Sequence, residues 1–141
     1  MTEESTTPDL VALTQQAADA WDTRDLEAAL SFYAPRALFD SSLLGIGIFE
    51  GRSAIRAHLE DWWSAAYEDY DLKTEEIRDL GNGVVLVVSF HRGRLRGSGG
   101  WVQIRIATVL TFADRLIEQH TNYTDIDDAR AAAERRAEER G

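Results

Sequence analysis

The sequence predicts an α+β domain: three helices, then a curved antiparallel sheet, then a last helix. Three observations carry this. Apolar residues recur at helical spacing through the first half of the chain. The second half changes to strand-length apolar runs. The turns between those runs are too short for parallel crossovers, which need a dozen residues or more. Helices placed ahead of a meander argue for helices gathered on one face of the sheet. At 141 residues the chain has the size of one ordinary domain. That domain is expected over residues 9–141, behind a disordered stretch at 1–8.

Thr7-Pro8-Asp9 reads as a helix start, with Thr7 as cap, Pro8 in the first turn and Asp9 at the positive helix end. Leu10, Leu13, Ala17 and Trp21 follow on one face. Asp25 caps a second helix whose stripe is Leu26, Ala29, Leu30 and Tyr33, and Ala34-Pro35 ends it. Ala37 to Ser41 is a short strand, and Leu43 to Glu50 an apolar, glycine-containing loop suited to covering something. Gly51 to Ala66 reads as a third helix with the stripe Ile55, His58, Leu59 and Trp62. Strands are then expected at Tyr70 to Leu80, Val84 to Arg96, Trp101 to Phe112 and Leu116 to Tyr123. Gly81-Asn82-Gly83 is a hairpin signal, Gly97-Ser98-Gly99-Gly100 a flexible turn and Ala113-Asp114-Arg115 a tight turn. Asp125 caps a last, highly charged helix with a narrow stripe of Ile126, Ala129, Ala133 and Ala137.

Composition excludes several classes. Apolar residues make up 44% and charged residues 28%, a soluble, globular balance. No apolar run reaches the roughly 18 residues of a membrane helix. The acidic start MTEESTTPD has no basic or apolar leader. There is no cysteine, hence no disulfide or thiolate metal site. Together these favour the cytoplasm. The formal charge of −10 repels nucleic acid and anionic membranes. Nothing in the motifs asks for a cofactor, and three scattered histidines without an HxH or HxxxH pair give no metal signal.

The segment Asp25-Leu-Glu-Ala-Ala-Leu-Ser-Phe-Tyr-Ala, the strand Ala37-Leu-Phe-Asp and the helix start Phe49-Glu-Gly-Arg-Ser-Ala-Ile-Arg resemble the nuclear-transport-factor-2-like (NTF2-like) superfamily. The closing Asn122-Tyr-Thr-Asp-Ile-Asp-Asp-Ala-Arg-Ala-Ala-Ala-Glu resembles its SnoaL-like branch, which includes polyketide cyclases. The resemblance covers residues 9 to 138. It implies a cone-shaped sheet wrapped around an internal pocket, and a homodimer formed through the outer sheet face. It implies no single activity, because the superfamily holds isomerases, cyclases, dehydratases, epoxide hydrolases and members that only bind or assemble. Ketosteroid isomerases allow a residue-by-residue test. Aligned through Asp25-Leu26 and Tyr33-Ala34, their catalytic Asp position falls at Ser41 and their phenolic donor at Ala17; their protonated Asp falls at Thr108. All three roles are lost. Asp40 sits one residue from the base position, where a one-residue slip in a strand reverses the face.

The same register assigns the pocket wall. Val84, Leu86, Val88 and Phe90 would face inward, then Val102, Ile104, Ile106, Thr108, Leu110 and Phe112, then Ile117, Gln119, Thr121 and Tyr123. The opposite parity carries Ser89, His91, Gln103, Arg105, Glu118, His120 and Asn122, as a polar outer face would. The expected wall is mostly apolar and suits a small hydrophobic molecule.

Candidate catalytic residues follow. His58 lies on an apolar stripe, where a neutral imidazole could act as general acid or base near pH 7, or simply hydrogen-bond the backbone. Asp40 could take a proton or orient a water, or hold the amides of the loop after it. Tyr123 could donate to a ligand carbonyl, or keep its hydroxyl at a polar edge. Ligand contacts are expected from Trp21, Ser41, Leu59, Trp62, Phe90, Thr108, Gln119 and Tyr123, with core packing the competing account of the tryptophans. His91 and His120 fall on the outer parity. Two functional readings stand: a pocket protein that binds a small hydrophobic molecule, with or without acid–base chemistry on it, and a non-catalytic dimeric binding or assembly domain with a filled core.

Overall fold

The computed structural model describes residues 9–141. The expected disordered stretch at 1–8, with the Thr7-Pro8 helix start, lies outside the described residues. Helix α1 (Leu10–Asp22) is capped by Asp9, whose carboxylate accepts from the Ala12 amide at 3.0 Å. Helix α2 (Leu26–Ser31) is capped by Asp25 in the same way. It is shorter than the periodicity suggested. Pro35 pushes Ala34 into extended backbone, and strand β1 (Tyr33–Asp40) begins at Tyr33, which therefore sits on the sheet rather than on the helical stripe. The apolar loop is partly ordered as a short edge strand, β2 (Ile48–Glu50), paired with β1. Gly45 and Gly47, at φ 76° and 135°, turn the chain back to make that pairing. Helix α3 (Arg52–Glu60) continues into a wider, π-helical turn at Asp61–Ala66.

The remaining elements are β3 (Tyr67–Gly81), β4 (Val84–Leu95), β5 (Trp101–Ala113), β6 (Leu116–Tyr123) and α4 (Ile126–Arg140). The curved, unclosed sheet has the order β2-β1-β6-β5-β4-β3. It is antiparallel except where β1 runs parallel to β6. This corrects the expectation of an all-antiparallel sheet. The short turns between later strands do forbid crossovers among them. The connection from β1 to β6, however, runs through β2, α3 and three strands, and is long enough to bring the chain back in the same direction. Among the described residues no helix is long and apolar enough to cross a membrane.

Both faces of the sheet are covered, and this decides which side chains reach the interior. On one face Val85, Val87, Leu110, Phe112 and Ile117 pack with Leu30, Ile55 and Leu59 of the first three helices. On the other, Val84, Leu86, Val88, Ala107 and Val109 pack against Ala129, Ala133 and Ala137 of α4. The alanine stripe lets α4 lie close, and each fully buried Val or Leu there contributes about 1.5–3 kcal/mol. The parity assigned to β4 is therefore reversed: Val84, Leu86 and Val88 face α4, and Val87, Ser89 and His91 face the helices. The parity of β6 changes part-way. Phe112 pairs with Ile117 and Thr111 with Gln119, so Glu118 is an extra residue in a bulge. Beyond it His120 and Asn122 turn inward, and Gln119 and Tyr123 turn out. β5 keeps the expected parity, with Ile106, Thr108 and Leu110 inside.

Candidate functional site

Between the first three helices and the sheet lies a cavity of about 80 Å³. Its wall is mostly aromatic and aliphatic, with Trp21 from α1, Tyr33 and Phe39 from β1, and Trp62 and Tyr70 closing the far side. Gly93 makes room for this aromatic wall, since a Cβ there would stand 2.5 Å from the Tyr67 ring, which packs on Trp62 and Tyr70. Among the cavity-lining residues there is no arginine, lysine, aspartate or glutamate. Apart from Thr14, whose hydroxyl donates to the Leu10 carbonyl, and Thr74, the polar side chains come from two hydrogen-bonded chains and one separate histidine.

The first chain crosses β1, β6 and β5. Tyr33 Oη lies 2.9 Å from His120 Nδ1, and His120 Nε2 lies 2.9 Å from Asn122 Oδ1. Thr108 Oγ1 also donates to that oxygen at 2.7 Å, and Asn122 Nδ2 donates to Ser41 Oγ at 2.7 Å. An amide oxygen only accepts, so His120 carries its proton on Nε2 and Tyr33 donates to Nδ1. The proton direction is set along the whole chain, and the Ser41 hydroxyl proton is left over at its end. The second chain joins β3 to β4. Tyr70 Oη bonds His91 Nδ1, and Ser89 Oγ lies 3.1 Å from His91 Nε2. Its three exchangeable protons fill two hydrogen bonds, so one hydroxyl proton, on Ser89 or on Tyr70, is again left for the cavity.

Burial keeps both imidazoles neutral. It pushes His120 down to about 3, with the Asn122 bond opposing, and His91 down to about 4. Burial also raises Tyr33 and Tyr70 well above the usual phenol value, so both remain protonated donors. His58, on α3, differs from the other two. It is 9% exposed, its ring stacks on Phe49 at 4.3 Å, and its ring makes no side-chain hydrogen bond among the described residues. The one fully sealed polar side-chain atom without a partner among those residues is Trp63 Nε1, so the His58 nitrogens keep some contact with solvent. Burial lowers its pKa, with the Asp61 charge pulling the other way. A neutral imidazole with a free lone pair therefore stands at the cavity wall.

The structure brings together Trp21, Ser41, His58, Trp62 and Thr108 of the residues singled out from sequence. It does not bring the others. Asp40 accepts from the Ser42 amide at 2.9 Å and hydroxyl at 2.6 Å, holding the turn after β1. Leu59 is fully buried in the helix–sheet core. Phe90 lies on the opposite sheet face beneath Arg105, because β4 parity is reversed. Gln119, turned out by the β6 bulge, accepts from Arg136 of α4 at 2.8 Å, and Tyr123 packs beside Ile126 on the α4 side.

The model of the SnoaL-like domain matches residues 14–120. The chain belongs to the SnoaL-like domain family. Solved structures repeat the fold. A protein with a ketosteroid isomerase-like fold from Catenulispora acidiphila, in complex with trimethylamine, has a TM-score of 0.69 at 18% identity, covering 90% of this chain and 93% of its own. An NTF2-like protein of unknown function from Burkholderia pseudomallei gives 0.71 at 16% identity, covering 90% and 98%. TerC, co-crystallized with polyporic acid, gives 0.71 at 14% identity, covering 89% and 98%. No curated protein matches the sequence.

In this SnoaL-like chain the residues that sequence reasoning missed are Tyr33, Tyr70, Ser89, His91, His120 and Asn122. A signal for four of them exists. Ser89 and His91 are two apart at the end of an apolar strand, and so are His120 and Asn122. Polar residues at period two share a sheet face. A polar pair on a strand whose two faces are both covered must find partners inside.

Proposed function

We propose that the cavity binds a small, uncharged, mostly apolar molecule and moves a proton on it, with His58 as the base. The observation that carries this reading is the contrast among the three imidazoles. Both nitrogens of His91 and of His120 are committed, whereas His58 is neutral and has both free. A ligand carbonyl would accept from the spare hydroxyl proton of Ser41, or of Ser89 or Tyr70. His58 would take a proton from the adjacent carbon, the carbon–hydrogen electron pair would move toward the carbonyl oxygen, and the hydroxyl donors would stabilise the charge developing there. The proton then returns from His58 to the product. A cavity wall without formal charge disfavours carboxylates and phosphates. The trimethylamine and polyporic acid held by the two neighbours named above support a small-molecule role for the fold. The cysteine-free composition suits a reducing compartment such as the cytoplasm.

The test is a thermal-shift screen of uncharged ketones that carry an α-hydrogen, followed by exchange of the α-proton of any hit in heavy water, read by NMR. A ligand at one hundred times its dissociation constant adds about 2.7 kcal/mol of stability. His58→Gln is expected to keep binding and to slow exchange by about 10²-fold or more. Unchanged exchange in that variant removes His58 as the base.

One observation favours a second reading. The cavity has about half the roughly 150 Å³ volume that holds benzene in an engineered core, as expected of an assembly domain with a nearly filled interior. Such a domain would dimerise through the part of the outer sheet face that carries Phe90, Arg92, Trp101 and Arg105. Sedimentation of wild type and Trp101→Glu tests this, and a monomeric wild type ends it.

A further inference from the structure

Outside the cavity a second concavity opens, an apolar groove of about 480 Å³ between α3 and the segment that leads into β2. We infer that the cavity's ligand is a two-part molecule whose larger, aromatic end lies in this groove, with His58 at its waist. The inference rests on the reading that the cavity binds a ligand.

Volume is the first argument. Small-molecule sites occupy roughly 300–1,000 Å³, and the cavity alone falls well below that range while the groove lies within it. The second argument is continuity. Ile46, His58 and Trp62 line both spaces, so the two adjoin with only these side chains between them. The third is the state of His58, which is nine-tenths buried and makes no side-chain hydrogen bond among the described residues, while its ring nitrogens still reach the space beside them. Its ring stacks on Phe49 of the groove on one side and packs 5.2 Å from Phe39 of the cavity on the other. A polar group in that position is satisfied by a molecule that passes it.

The groove also states the chemistry of the outer end. Phe49 and Trp62 offer aromatic surface, and Ala54 and Ala57 leave room beside them. Asp61 is the groove's one charged lining residue, so the outer end carries no carboxylate and has a hydroxyl or amide donor if it is polar at all. The ligand class is thus an elongated, uncharged ketone with an aromatic tail, its carbonyl inside and its ring outside.

Butanone and benzylacetone share a methyl ketone head and differ by an aromatic tail, so an NMR titration with both separates cavity from groove. Wild type is expected to bind benzylacetone at least tenfold more tightly. Ala57→Trp fills the groove at an exposed helix position where the fold is undisturbed, and is expected to bring the ratio of the two affinities close to one. If butanone shifts cavity resonances but benzylacetone gains nothing, or keeps its gain in Ala57→Trp, the groove inference is overturned and the cavity reading stands. If neither ketone binds wild type, the cavity reading fails and takes the groove with it.

Discussion

The two tyrosine–histidine chains occupy opposite sides of β5 in one cavity and look alike, but they differ in what their protons can do. On the β1–β6 side, His120 is bounded by a buried amide. Reversing its proton direction requires the Asn122 side chain to turn over against Ser41 and Thr108. On the β3–β4 side, His91 is bounded by two hydroxyls that can each donate or accept. Reversal there needs the ring proton moved from one nitrogen to the other and the Ser89 and Tyr70 O–H bonds rotated, with no heavy atom turned over. The first chain is a brace and the second is a relay. The same residue types give different chemistry because one partner can only accept where the other can do both.

Acid should weaken both sides together. Both histidines have folded pKa values below their ordinary 6.5, so between those values the unfolded chain binds more protons than the folded one. Their stabilisation is complete above about pH 6.5 and is lost as pH falls. The loss is about 1.4 kcal/mol per pH unit for each, or on the order of 3 kcal/mol each by pH 4. Against a typical total of about 5–15 kcal/mol, that is enough to unfold the protein near the bottom of this range. The arginine-paired carboxylates Glu75 and Glu76 are held below their usual 4.5, so the window from pH 6.5 to 5 belongs to the histidines. Denaturant melts across that window should show His120→Gln and His91→Gln each removing a similar share of the pH slope, with the remainder coming from His58, whose pKa burial also lowers. A flat wild-type profile above pH 5 would mean that neither imidazole is buried in the neutral form.

Removing the phenols tests the brace against the relay. Tyr33 is 1% exposed, and Tyr33→Phe leaves the His120 lone pair with no donor, in a chain that cannot reverse without turning the amide. A loss of about 1–3 kcal/mol is expected. Tyr70 sits at the aromatic wall shared with Trp62 and Tyr67, and its chain can redistribute the remaining protons. Tyr70→Phe should therefore cost about 1 kcal/mol, at the low end of that range. Urea midpoints decide this, and an equal loss in both variants erases the distinction.

The contrast also explains what was legible beforehand. Helix caps at Asp25 and Asp125, the glycine turn at residues 81–83 and the alanine stripe of α4 announce themselves locally, because each is a short-range rule. Strand parity is not local. The run Val84 to Val88 is apolar on both faces because α4 covers the outer one, so hydrophobicity could not say which side faces the helices. The ordinary pattern puts the polar residues at 89, 91, 120 and 122 on the outer sheet face, whereas here they bond Tyr70, Tyr33 and one another inside. The bulge at Glu118 has no glycine or proline to mark it. The fold was therefore readable while most of the site was not: Trp21, His58 and Trp62 come from helix stripes, Thr108 from a strand that keeps its register, and Ser41 from the alignment with the isomerases.

The finest distinction is between tautomers, and it can be seen without unfolding the protein. Nitrogen-15 shifts of the two rings at neutral pH should show His120 as a single Nε2–H tautomer, fixed by the acceptor Asn122 Oδ1. His91 should show averaged shifts from two tautomers, because Ser89 can give or take the bond to Nε2. Ser89→Ala removes that choice. A phenol donates to an imidazole nitrogen more readily than it accepts from one, so Tyr70 would hold Nδ1 as acceptor and His91 would collapse to the Nε2–H form. A wild-type His91 already in one tautomer would make the relay a second brace, and would fix which hydroxyl, Ser89 or Tyr70, keeps the spare proton for the cavity.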